Sequence, residues 1–377
     1  MSYQPSTKQN AKRQKLLEKI VGSSIKIILA LIPASLALSG CTSRDIKTAQ
    51  AFSEISETLK ESNTTVAQDI YDSCSRSSTW LDRGTADTRQ NMRDALKVCD
   101  TIFRPNSVRT EIAGQLLAEY VGAIGDLATE DRQAVRTRFE EVGTALQGLT
   151  VQTGDSTFQL KQNTIDTGVE IAAFLTNLIQ NDFRRRNLKA AIVCTDQDIQ
   201  SYSADLASFI NELYVQALLD DEIDSITRYF GGYRSPLTDA TNLLLDSGSP
   251  EVFTSLQETQ INRDQELRTE ISKVIERKNT ASAYVTLIQE TATAHADLKH
   301  IFNNGKDELS PELTTKCNQY FAKDSGSKVS MKTLETDFLN QEISQSELEQ
   351  VRKVAIAYTN KVIPLLERLK QKSQSNQ

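Results

Sequence analysis

The sequence predicts an all-α protein, built as elongated antiparallel helical bundles with long, coiled-coil-like helices. Three observations carry that prediction. Apolar residues recur every three or four positions along almost the whole chain after residue 48, and no run of strict alternation interrupts them. Leu, Ile, Ala, Glu, Gln and Lys are abundant, while the 377 residues hold only seven Pro, 15 Gly and one Trp, too few turn formers for a sandwich. The periodic runs are also long, one of them unbroken over 250–302.

Taken in order, the first expected helix carries Phe52, Ile55, Leu59, Val66 and Ile70, with Ser62 in one apolar slot, and ends near Gly84. Met92, Ala95, Leu96, Cys99 and Ile102 share a face of the second, which stops before Pro105. Asn106 or Ser107 can cap a third, striped by Val108, Ile112, Leu116, Tyr120, Ile124 and Leu127. Thr129 restarts a fourth, with Val135, Phe139, Val142, Leu146 and Leu149. Short turns between these helices favour antiparallel neighbours, so 49–150 reads as an N-terminal bundle. Gly122, Gly125, Gly143 and Gly148 fall inside helical patterns, where they permit close packing.

The polar stretch 150–156 is the expected boundary to a C-terminal long-helix bundle over 157–371. Its first helix carries Ile165, Val169, Ala172, Leu175, Ile179 and Phe183; Arg184-Arg185-Arg186 follow, where positive charge suits a helix C-terminus. A run over 196–230 is ended by Gly231-Gly232, and 231–250, with Gly, Ser and two Pro, is the expected loop. The seam Phe253, Leu256, Leu267, Ile271, Val274, Ala281, Val285 and Ile288 is nearly heptad, and a helix over 250–302 would reach about 80 Å. Asn303-Asn304-Gly305 closes it, a short segment surrounds Cys317, and 323–333 reads as a loop. The last helix carries Leu348, Val351, Val354, Tyr358, Val362, Leu365 and Leu369; Pro364 is expected to kink or shorten it, and 372–377 is a polar tail.

The start of the chain specifies an address. Lys8, Lys12, Arg13, Lys15 and Lys19 precede an apolar run over 25–38, interrupted by Lys26, Pro33 and Ser35, which is the order of a secretory signal. The run is shorter than the roughly 20 residues that span a bilayer comfortably. It ends in Leu38-Ser39-Gly40-Cys41, which resembles the lipobox of bacterial lipoproteins. The resemblance covers residues 1–41 and implies that 1–40 is a cleaved signal peptide, that Cys41 is lipidated, and that 41–48 is a tether. Thr42 and Ser43 follow the cysteine, with no Asp to favour the inner membrane, so the resemblance implies an outer-membrane anchor facing the periplasm.

Charge narrows the partners. The whole chain has 43 Lys and Arg against 50 Asp and Glu; residues 1–40 hold six of the bases and one of the acids, so the remainder balances at −12. An acidic surface argues against nucleic acid, which requires Lys and Arg on phosphates. The expected partners are the membrane, through the lipid, and an envelope protein. Four cysteines remain in an exported chain, Cys74, Cys99, Cys194 and Cys317, allowing three pairings. Cys74 with Cys99 is favoured because they lie on consecutive helices; Cys194 with Cys317 follows by default.

Chemistry is sparse. His295 and His300 are the only histidines, and five residues on a helix place them about 140° apart, off one chelating face. His295 lies on an apolar stripe and reads as a core histidine. No GxSxG, GxGxxG or GxxxxGK[ST] motif is present. Asp220-Asp221-Glu222 and Glu130-Asp131 lack calcium-loop spacing and read as helix-end or solvated charges. No catalytic residue, metal ligand or cofactor is therefore expected. Tyr229, Phe230 and Tyr233, beside Gly231-Gly232 and Arg234, form the one loop-like cluster of large side chains, either a partner-binding tip or a plug closing a bundle. The expectation is a non-enzymatic binding or scaffolding protein of the envelope. The alternative is a helical bundle that holds a small apolar ligand or lipid along 169–209.

Overall fold

A computed structural model describes residues 41–80, 88–126, 132–149, 160–180, 185–247, 250–321 and 343–375. The fold is all-α, with no strand among the described residues. Ten helices follow one another there: α1 (Cys41–Thr79), α2 (Thr88–Val98), α3 (Arg104–Asp126), α4 (Arg132–Gln147), α5 (Gln162–Gln180), α6 (Arg185–Phe209), α7 (Leu219–Ser247), α8 (Pro250–Phe302), α9 (Pro311–Phe321) and α10 (Gln345–Ser375). Two π-helical segments are spliced into this series, Cys99–Phe103 between α2 and α3 and Ile210–Leu218 between α6 and α7. The expected boundary at 150–156, the helix end near Gly84, the restart at Thr129 and the loop over 323–333 lie outside the described residues.

The 3–4 spacing of apolar residues gives each helix a stripe, and the stripes meet in one buried cluster. Ile55, Leu59, Val66 and Ile70 of α1 face Leu116, Leu117 and Tyr120 of α3, all at most 3% exposed. Hydrogen bonds give the helix directions. Ser56 Oγ donates to the Ala118 carbonyl at 2.7 Å and Asn63 Nδ2 to the Glu111 carbonyl at 2.6 Å, so α3 descends as α1 rises. The Tyr284 hydroxyl donates to Asn63 Oδ1 at 2.9 Å, which sets α8 antiparallel to α1 further along. Close approach is built in with glycine: a Cβ at Gly114 would lie 1.9 Å from Asn63 Oδ1, and one at Gly122 2.8 Å from Ser56 Oγ. The Tyr202 hydroxyl on α6 donates to the Ala113 carbonyl at 2.8 Å, tying α6 to α3.

Both expected disulfides are present. Cys74 of α1 bonds Cys99 and Cys194 of α6 bonds Cys317 of α9, with Cα atoms 5.6 and 5.2 Å apart. At the start of α10, Ser344 and Glu347 form a reciprocal capping box, the Glu347 N–H donating to Ser344 Oγ and the Ser344 N–H to Glu347 Oε2. The same Glu347 meets the buried Lys189 ammonium of α6 at 2.7 Å.

Five local expectations are revised. The helix does not stop before Pro105 to restart at a cap on Asn106 or Ser107: α2, the π-helical segment Cys99–Phe103 and α3 run on without a break, with the Arg104 N–H donating to the Cys99 carbonyl. The backbone is helical from Cys41 onward, where a tether was expected over 41–48. Helix α7 runs through Gly231, Gly232 and Pro236 to Ser247, where a loop was expected. Two glycines cost a helix only about 1 kcal/mol each, which tertiary packing can override. Arg185 and Arg186 open α6 instead of closing the helix before it. Helix α10 passes through Pro364, held by buried Tyr358 and Val362 on one side and Leu366 and Leu369 on the other. At the end of α8 the expected stop is found: Asn304 and Gly305 adopt φ of 54° and 74°, and the Gly305 N–H donates to the His300 carbonyl.

Candidate functional site

Helices α7 and α8 continue past the bundle as an antiparallel hairpin arm, joined through residues 248 and 249. Its direction follows from two contacts. Ser73 Oγ of α1 donates to Glu222 of α7 at 2.7 Å, and seven residues on, Trp80 meets Tyr229 and Phe230, with ring centroids 5.2 and 5.8 Å apart. Helices α1 and α7 are therefore parallel here, and the arm points away from Cys41. Summing the rise of α1 from Cys41 to Ser73 and of α7 from Glu222 to Ser247 places the arm tip about 85 Å from Cys41. No residue over 251–273 is buried: Phe253, Leu256, Leu267 and Ile271 are half-covered, and Val252 and Ile261 are 47% and 56% exposed.

The arm is clamped at its base by charge. Asp69, Ser73 and Arg76 share a face of α1 by their i, i+4, i+7 spacing. Glu222, 1% exposed, accepts from Ser73, from Arg76 Nε at 2.8 Å and from Arg277 Nη2 of α8 at 2.5 Å. Arg76 also donates to both Asp69 oxygens, at 2.8 and 3.0 Å, and the Tyr214 hydroxyl, on the π-helical segment Ile210–Leu218, donates to Asp69 Oδ2. Burial pushes the Asp69 carboxyl up, but the Arg76 and Tyr214 hydrogen bonds outweigh it and leave it below the ordinary value. Arg76 is pulled down by burial and raised further by Asp69 and Glu222, so it stays charged. Burial, then the Asp69 charge, drive Tyr214 well above its usual value, keeping it a donor. Lys278 adds an outer contact to Asp220 at 2.5 Å. Beside the clamp lies a cavity of about 440 Å³ lined by Asp69, Arg76, Tyr214, Lys273, Arg277 and Thr280, among others.

Glu222 corrects the sequence reading of Asp220-Asp221-Glu222 as helix-end or solvated charge. Helix α7 continues the π-helical segment without a break, so these acids do not sit at a helix end, and Glu222 is buried. Its partners are 146 and 55 residues away in sequence, so no local signal marks it. The aromatic group divides. Phe230 is 6% exposed and Tyr229 half-buried, both stacked with Trp80 as a plug, while the side chains of Tyr233 and Arg234 lie outside those described. Glu130 and Asp131 also lie outside the described residues.

The two histidines stand apart. His295, 2% exposed, shares a 2.6 Å hydrogen bond between Nδ1 and the Tyr120 hydroxyl, and its Nε2 lies 3.5 Å from Asp196 Oδ1. Burial lowers its pKa to about 4 despite the Asp196 charge, so the ring is neutral. His300 is exposed and pairs with Asp307 at 2.9 Å. Among the described residues no three His, Cys, Asp or Glu gather in a metal-holding group, and no helix is long and apolar enough to cross a membrane. No protein-family description, curated protein or solved structure matches this chain.

Proposed function

We propose that this is a lipid-anchored cell-envelope protein with a non-enzymatic scaffolding role, which holds the tip of the α7–α8 arm at a set distance from the membrane as a contact surface for an envelope partner. The reading joins the lipobox-like ending at Cys41 to one geometric observation: the arm leaves the bundle at the end opposite Cys41, about 85 Å away. A device that only had to fold would not need a two-helix extension whose apolar seam stays half-exposed. The charge clamp supports the same reading, because it ties both arm helices to the helix that begins at the anchor cysteine. Contact is assigned to the outer arm around Val252 and Ile261, since Phe230 is committed to the plug.

The apolar-ligand alternative has weaker support. Along 169–209, Ile171, Ala172, Leu175, Ile192, Ile199 and Leu206 fill the shared core with their own side chains. The groove that α6 and the π-helical segment after it form with α8 is a mixed surface, in which Gln200, Ser203, Asn211 and Gln289 alternate with Ala204, Ala207, Val285 and Ala292.

The test is crosslinking in the native membrane followed by mass spectrometry, with the mass of the Cys41 peptide read from the same sample. Reproducible capture of one envelope protein, lost in a Val252→Glu/Ile261→Glu variant that still folds, is the expected result. A solitary protein, or capture indifferent to the arm substitutions, would sink the scaffold reading; an unmodified Cys41 would sink the anchor.

A further inference from the structure

We infer that α2 is a second docking surface, and that its occupant is an acidic amphipathic helix of a partner protein. This contact is separate from the arm tip and rests neither on the scaffold reading nor on lipidation.

The surface is a basic stripe with apolar margins. Arg89, Arg93 and Lys97 are exposed and follow one another at i, i+4 and i+8, which sets them in a line along α2. Half-buried Met92 and Ala95 and buried Cys99 form the side that packs on α1, and Lys97, two residues before Cys99, stands on the side away from it. The acids of this stretch are engaged elsewhere: Asp94 accepts from Gln90, and Asp100 from Tyr71 and Arg104. Leu96 borders the line on one side, and Val98 and Ile102, one turn apart, border it on the other. Such exposure is not ordinary scatter. Of the seven large apolar side chains exposed among the described residues, four, namely Leu96, Val98, Ile102 and Val108, fall within 96–108.

The patch is also fixed in place. Cys99 is bonded to Cys74, the Tyr71 hydroxyl donates to Asp100 at 2.9 Å, and the Arg104 guanidinium lies 4.2 Å from the centroid of the Tyr71 ring. A partner therefore meets a surface that need not be ordered first.

Charge and arrangement together select the occupant. The chain beyond residue 40 balances at −12, so three aligned cations without an acid of their own form a basic island that calls for carboxylates. A helix that lies in a membrane interface presents one continuous apolar face to the lipid, with its bases on the polar side. In α2 the continuous apolar side is taken by α1, and on the free side the bases run down the middle with apolar residues to either side, which disfavours a lipid surface. A helix carrying Glu or Asp at i, i+4 and i+8, flanked by apolar residues, meets all three cations and both margins at once. Its carboxylates accept charge-assisted hydrogen bonds, the strong kind.

The experiment is fluorescence anisotropy of the full-length, detergent-solubilised protein with a labelled helical peptide of about 15 residues, long enough to hold a helix alone. The peptide carries Glu at i, i+4 and i+8 between flanking Leu, and a control carries Lys in place of each Glu. Two protein variants accompany it, Arg93→Glu/Lys97→Glu and Leu96→Ser/Ile102→Ser. Both change exposed side chains only, and an unfolding midpoint matching the parent's checks the fold. Saturable binding of the Glu peptide and not of the Lys peptide, weakened roughly tenfold or more in both variants, is the expected result, with the charge-reversed variant now preferring the Lys peptide. No saturable binding at millimolar peptide overturns the inference, as does equal binding of the two peptides by the parent, which needs no variant to read. Preference for phosphatidylglycerol vesicles over the peptide would give the surface to a membrane. Self-association of the chain that the charge reversal abolishes, read by sedimentation, would give it to a second copy; either result overturns the inference.

Discussion

One helix, α8, lives in two environments. From Val274 to Phe302 it is the spine of the bundle, with Val274, Ala281, Tyr284, Leu287, Ile288 and Phe302 all 0% exposed. From Pro250 to Lys273 it is half of an arm, and no side chain over 251–273 is buried. The apolar spacing barely changes between the halves: Phe253, Leu256, Leu267 and Ile271 continue the line of Val274 and Ala281. What changes is the number of neighbours. The inner half is surrounded by α1, α6, α7 and α10, whereas the outer half has α7. Burial is thus set by the surroundings, and periodicity alone reports only which face is apolar.

The joint between the two environments is where substitution should cost most. Replacing Glu222 with Ala leaves Arg76 and Arg277 buried without their shared carboxylate, and should remove about 3–5 kcal/mol of stability, measured by urea unfolding. If the cost is below 1 kcal/mol on the order of a surface pair, the clamp does not hold the arm. Truncation on either side of the joint sharpens the contrast. Leu287→Ala in the bundle should cost about 2–5 kcal/mol, and Leu256→Ala in the arm less than about half of that, because little burial is lost there. Equal costs would mean the arm is covered in solution.

The disulfides test which long-range ties matter. Each should contribute about 2–4 kcal/mol, and in the chain-entropy description Cys194–Cys317, closing 123 residues, should exceed Cys74–Cys99, closing 25, by about 1.4 kcal/mol. Paired Cys→Ser variants compared by unfolding midpoint check the order.

A smaller effect is pH-linked and confined to the bundle. His295 titrates near 4 when folded and near 6.5 when unfolded, so between these values the unfolded chain binds the extra proton. Its contribution is fully present above about pH 6.5 and is lost as pH falls towards 4. The unfolding midpoint should therefore drop over that window, and less steeply in His295→Gln. Asp69, with its lowered pKa, contributes in the same direction at more acid pH, present above its unfolded value and lost below it. An identical pH profile in the variant would show that another group carries the loss.

The sequence by itself determined the all-α class, most helix stripes, the unbroken helix from Pro250 to Phe302 and its stop at Asn304-Gly305, and it favoured, among three possible cysteine pairings, the one the structure contains. The first four follow from local periodicity and turn chemistry. It also carried the lipobox-like ending at Cys41, on which the proposed address rests. Only the tertiary structure decided that Phe230 is buried against Trp80, that Glu222 is buried, and that Gly114 lets Asn63 and Tyr284 approach. The reason is common to all of them. Each depends on groups brought together from tens to hundreds of residues apart, and a side chain's pattern along its own helix does not say which charges will face it.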